Sequence, residues 1–80
     1  MTLEYFKRRM KYDFAFYDIT DQVTLFVEKK FVEIYDYRDK SSRRYPSIDD
    51  VLDVEVDGKK IRDIIEARED FPPLIFYNAM

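Results

Sequence analysis

The chain has no cysteine, no histidine and no tryptophan, and only one glycine and three prolines among its 80 residues. Without cysteine no disulfide can staple the fold, and without cysteine and histidine the familiar zinc sites are excluded. The same absences remove the triads of hydrolases that rely on an imidazole base, and one glycine cannot build a glycine-rich phosphate loop. No apolar run approaches the roughly 20 residues needed to cross a bilayer. Met1 to Met10 is already charged and lacks the apolar stretch of a signal peptide. The expectation from these absences is a cytoplasmic protein with no membrane contact, no cofactor and no enzymatic activity.

Aromatic residues are abundant instead: seven Phe and seven Tyr, side chains that bring large contact area to cores and interfaces. A chain of this length, expected to form one small domain over residues 1–80, buries only roughly 60 to 65% of the surface its unfolded form exposes. Its stability must therefore draw on those rings, on a partner, or on both. The net charge is −3 and unevenly spread. Residues 1–45 hold ten basic and eight acidic side chains, and residues 46–80 hold four basic and nine acidic. That imbalance disfavours the second half as a nucleic-acid surface and leaves only the first as a candidate.

The clearest pattern runs from Gln22 to Tyr37. Val23, Leu25 and Val27 alternate with Thr24, Phe26 and Glu28, and Val32 and Ile34 alternate with Phe31, Glu33 and Tyr35. This is the period of two expected of strands. With Lys29 and Lys30 at the tip, Val27 faces Val32, Leu25 faces Ile34 and Phe26 faces Glu33. Two lysines are poor formers of the tight mirror-image turns, so a longer loop of the same parity is the alternative. One face carries the aliphatic residues of a core wall. The other carries Phe26, Phe31, Tyr35 and Tyr37 among Thr24, Glu28 and Glu33.

Before the hairpin, Leu3, Phe6, Met10, Phe14 and Tyr17 recur at spacings of three and four, which predicts a helix over Leu3 to Tyr17 capped by Thr2. Phe14 and Phe16 also alternate with Ala15 and Tyr17, so an early strand over Asp13 to Ile19 is the competing reading. After it, Arg38 to Pro46 has no apolar rhythm and reads as a loop. Ser47 and Asp50 resemble a capping box opening a short helical turn that points Ile48, Val51 and Leu52 inward. Val54 and Val56 suggest a brief edge strand ending at Asp57-Gly58, where Gly58 answers a need for positive φ. A helix is predicted from Lys59 to about Glu69, with Ile61, Ile64, Ile65 and the stem of Arg68 inward. Phe71-Pro72-Pro73 stops it. Leu74 to Tyr77 is too apolar for a discarded tail and is expected to pair with the hairpin or dock on a partner. The fold class is α+β, with a small, mainly antiparallel three- or four-stranded sheet and two helices.

Three constellations invite a functional reading. Asp53 to Gly58 imitates the start of a calcium loop, but Ile64 stands where the bidentate Glu belongs and Lys60 where an apolar residue belongs. Asp49, Asp50, Asp53 and Glu55 are the available paired carboxylates, in a domain with little volume for a cleft. Lys7, Arg8 and Lys11, with Arg43 and Arg44 from the loop, form the candidate nucleic-acid patch, opposed by the acidic second half. The aromatic hairpin face is the most telling. If one helix covers each side of the sheet, it is core. If part of it stays open, Phe26, Phe31, Tyr35 and Tyr37, rimmed by Glu28 and Glu33, form a surface for another protein or a second copy in a homodimer. The reading is a non-enzymatic protein–protein interaction or regulatory module, with a nucleic-acid-binding accessory role as the alternative.

Overall fold

A strand buried on one face prints its alternation in the sequence, and the hairpin folds as its alternation predicts. The computed structural model describes residues 1–10 and 14–77, the last three by their backbone alone. In it β2 (Val23–Glu28) pairs antiparallel with β3 (Val32–Asp36), Leu25 opposite Ile34, Val27 opposite Val32 and Phe26 opposite Glu33. Val23, Leu25, Val27, Val32 and Ile34 are all buried. The tip is Lys29-Lys30, closed by a 2.9 Å hydrogen bond from the Glu28 N–H to the Phe31 carbonyl. Neither lysine takes a positive φ, so this is not one of the mirror-image turns.

The long first helix does not form. α1 is confined to Leu3–Arg9, its Thr2 hydroxyl accepting the Tyr5 N–H at 3.1 Å. Phe14–Thr20 is β1, paired with β2 so that Phe16 faces Phe26 and Tyr17 faces Leu25. The competing reading prevails because aromatic and β-branched residues there gain more as a pleated strand beside the hairpin than as an isolated helical extension. Alternation then buries Ala15, Tyr17 and Ile19 and turns Phe14, Phe16 and Asp18 to the opposite face. The Thr20 hydroxyl accepts the N–H groups of Gln22 and Val23, both at 3.1 Å, and fixes the turn into β2.

The segment read as a loop also differs. Ser41–Tyr45 is β4, an edge strand paired with β3, reached through a turn in which Lys40 has φ +57°. Ser47 then opens α2 (Ile48–Val51), the Asp50 carboxylate accepting both the Ser47 N–H and hydroxyl. β5 (Glu55–Val56) and β6 (Lys59–Lys60) form a two-residue ribbon around Asp57-Gly58, whose φ values of +53° and +84° are those of a mirror-image hairpin turn. α3 (Ile61–Glu66) buries Ile61 and Ile65 and half-buries Ile64, and is shorter than predicted.

β7 (Ile75–Tyr77) pairs with the outer edge of β1, with Phe76 opposite Ala15, and not with the hairpin. The antiparallel sheet runs β4-β3-β2-β1-β7, four consecutive strands plus this short fifth. The fold is small and α+β, the described residues forming this sheet, the separate ribbon and three helices.

All three helices lie on one side of the sheet. Phe6 of α1 meets Tyr17 at 5.3 Å between ring centroids and Phe71 at 5.7 Å, and both Phe6 and Tyr17 are almost wholly buried. Val51 of α2 and Ile61 and Ile65 of α3 join the same cluster, with Ala15, Ile19 and Leu25 as its floor. Arg68 anchors the end of α3 to the irregular end of β1, donating to the carbonyls of Asp18 and Ile19 at 3.0 and 2.9 Å while its guanidinium lies 4.2 Å from the Phe71 ring centre. Of the two alternatives for the hairpin, one helix on each side of the sheet is not the arrangement the described helices take.

Candidate functional site

The opposite face of the sheet is built by strand parity from β1, β2, β3 and β4. Residues directly opposite on paired strands share a face, so one row across the sheet reads Arg44, Glu33, Phe26, Phe16. The row beside it toward the Lys29-Lys30 tip reads Phe31, Glu28, Phe14, and the row on the other side Ser42, Tyr35, Thr24, Asp18. The buried side chains of the described helices, Phe6, Val51, Ile61 and Ile65, belong to the core on the other face.

Five rings on it form a continuous edge-to-face chain. Phe14 meets Phe16 at 4.6 Å, Phe16 meets Phe26 at 4.6 Å, Phe26 meets Tyr35 at 6.3 Å and Tyr35 meets Tyr37 at 4.8 Å. Such geometry places the positive edge of one ring on the negative face of the next. The first four rings are partly exposed, and Tyr37 is 54% exposed. Thr24, buried beneath them, is satisfied by donating to Asp18 at 2.9 Å.

Among the described residues, the strand rows place Asp18, Glu28, Glu33 and Arg44 around the rings. The Arg44 guanidinium carbon lies 4.3 Å from the centre of the Phe31 ring, and its Nε donates to Glu33 at 3.0 Å. Of the residues expected at this site, Phe26, Phe31, Tyr35, Tyr37, Glu28 and Glu33 thus share one partly exposed face. Phe14 and Phe16 belong to it as well. The sequence reading missed them by assigning them to a helix, although their alternation with Ala15 and Tyr17 was the signal.

The candidate nucleic-acid residues are not gathered in the same way. Lys7 is paired with Asp49 at 2.6 Å, and Arg8 is exposed on α1. Arg43 and Arg44 are neighbours on β4 and therefore point to opposite sides of the sheet, Arg43 with Ile34 on the helix side and Arg44 with Glu33 on the aromatic side. Lys11 lies outside the described residues. The acidic residues are likewise dispersed: Asp53 accepts from Arg62 at 2.8 Å, Asp57 from Arg38 at 2.8 Å, and Asp50 caps α2. Among the described residues no three carboxylates are grouped to hold a metal ion.

A shallow cleft of about 240 Å³ opens on the helix side between β3, β4 and the ribbon, lined among others by Asp36, Arg38, Arg43, Glu55 and Asp57. Arg38 spans it, bonded to Asp36 and Asp57 at 2.8 Å each. Its volume falls below the roughly 300 Å³ at which small-molecule sites begin. No protein-family model, curated protein or solved structure matches the chain. No described helix is long and apolar enough to cross a membrane.

Proposed function

We propose that this protein is a non-enzymatic binding module that engages another protein through the aromatic face of its sheet. The observation that carries the reading is the asymmetry of the fold: the described helices pack on one side, and five linked rings lie partly exposed on the other. Rigid aromatic side chains give large contact area for little lost rotamer freedom, and so make effective interface anchors. Phe26 and Tyr35, at the middle of the chain of rings, are the central anchors, with Phe31 and Tyr37 beside them and Glu28 and Glu33 as the polar rim.

A second copy of the chain is a weaker occupant than a different protein. Packing two such faces together confronts the carboxylates of Asp18, Glu28 and Glu33 with their own copies, with Arg44 the one arginine among the described residues of each face. Edge pairing through β4 lays a strand carrying Arg43 and Arg44 against itself, a known guard against such association.

The test is site-directed photo-crosslinking in the native host. A benzoyl-phenylalanine replacing Tyr37 is expected to trap a discrete protein adduct. The same probe replacing Tyr5, an exposed ring on α1, is expected not to. Equal adducts from both positions, an adduct with nucleic acid, or none from the sheet face refutes the reading.

A further inference from the structure

Resting on the reading of the aromatic face as a protein-binding surface, we infer that its occupant is an arginine-bearing segment of a partner protein, with one guanidinium seated at Glu28 among Phe14, Phe26 and Phe31. The face already displays the seat it offers. Arg44 reaches across it, its guanidinium carbon 4.3 Å from the Phe31 ring centre and its Nε donating to the Glu33 carboxylate at 3.0 Å. A planar guanidinium meets a ring face and a carboxylate at once, which a lysine ammonium does less well.

Glu28 repeats these elements without the cation. It is partly buried, stands opposite Phe14 in the β1–β2 register and beside Phe31 at the hairpin end, and follows Phe26 by two positions on the same face. Its carboxylate forms no ion pair among the described residues, although Lys29 and Lys30 are its neighbours in the chain. Asp18 is engaged by the Thr24 hydroxyl and Glu33 by Arg44, so Glu28 is the carboxylate of this face with no partner. Among the described residues of these strand rows, the carboxylates of Asp18, Glu28 and Glu33 stand against the guanidinium of Arg44, an excess of negative charge. That charge repels a polyanion, and in a second copy it meets its like; a basic segment supplies what is missing.

The test titrates the isotope-labelled full chain with a short peptide alternating arginine with isoleucine and tyrosine, and with its counterpart carrying neutral citrulline for arginine. The expected result is saturable amide shifts at Phe26, Glu28 and Tyr35, with binding about tenfold weaker for the citrulline peptide and for Glu28→Gln. Glu55→Gln, a carboxylate of the distant ribbon, is expected to change affinity less than about twofold. Equal affinity for the two peptides, or no effect of Glu28→Gln, with shifts still on the sheet face overturns the arginine seat and leaves the aromatic face as the binding surface. Shifts confined to the helix side overturn both, and absence of binding by the arginine peptide overturns the seat.

Discussion

Phe6, Tyr17 and Phe71 meet beneath the sheet, where Tyr17 is 2% exposed, while Phe16, Phe26 and Tyr35 meet above it edge to face and partly exposed to water. The same residue type therefore carries different energetic weight on the two sides. Phe6→Ala removes a fully buried ring and is expected to cost about 3–5 kcal/mol. Tyr35→Ala removes a partly solvated one and is expected to cost about 1 kcal/mol, mostly its ring contacts. Denaturant melts of the two variants check the contrast, and equal losses would show that the upper rings are core. Among the polar residues, the Arg38 side chain and then its backbone N–H hold the Asp36 carboxyl below its ordinary value. Ser41 does the same for Asp39, and Arg9 for Asp70. A depressed carboxyl stabilises the fold fully above its unfolded value of 3.8 and loses that contribution as pH falls through the folded value. The gap in denaturation midpoint between wild type and Asp36→Asn is accordingly expected at neutral pH and should close in acid; a gap that widens there contradicts the assignment. The need for Gly58 was readable from the sequence because a unique glycine after Asp is a conformational statement. The Arg68 anchor was only half readable, as a buried stem, because its carbonyl partners are about fifty positions away.

At the level of elements, what the sequence declared depended on whether an element is buried on one side only. β2 and β3 have an apolar and a mixed face, so their register was readable residue by residue. β4 is exposed along Ser41 to Arg44, leaving no burial pattern for the sequence to record, and its backbone pairing with β3 is what makes it a strand. β1 failed for the opposite reason. Its aromatics are apolar toward both faces, and Phe14 and Tyr17 satisfy a period of three to four as well as a period of two. The hairpin tip offers a test at this scale. Lys29-Lys30 closes the hairpin without the positive φ values that match strand twist, whereas Asp57-Gly58 has them. Replacing the tip by Lys29→Asn with Lys30→Gly is expected to stabilise the fold by about 0.5–1 kcal/mol and raise the thermal midpoint. A lower midpoint would mean that the observed tip is not the limiting geometry.

Over the whole molecule, the sequence announced a hairpin with one apolar and one mixed, aromatic face but could not say how the helices would be shared between them. Parity assigns side chains to a face and leaves the side on which a connection returns undetermined. Only the assembled fold puts α1, α2 and α3 together over Tyr17, Leu25 and Ile34, so that the rings from Phe14 to Tyr37 have no described helix above them. The binding proposal stands or falls on that one-sidedness. Its most direct measurement is ring-proton relaxation in the presence of an inert, soluble paramagnetic gadolinium chelate. The account predicts strong relaxation of Phe16, Phe26, Tyr35 and Tyr37 at a protein concentration where light scattering shows a monomer, with Phe6, Tyr17 and Phe71 protected. Protection of Phe16 and Phe26 equal to that of Tyr17 in the monomer would show that the face is covered by the chain itself, and would contradict the account.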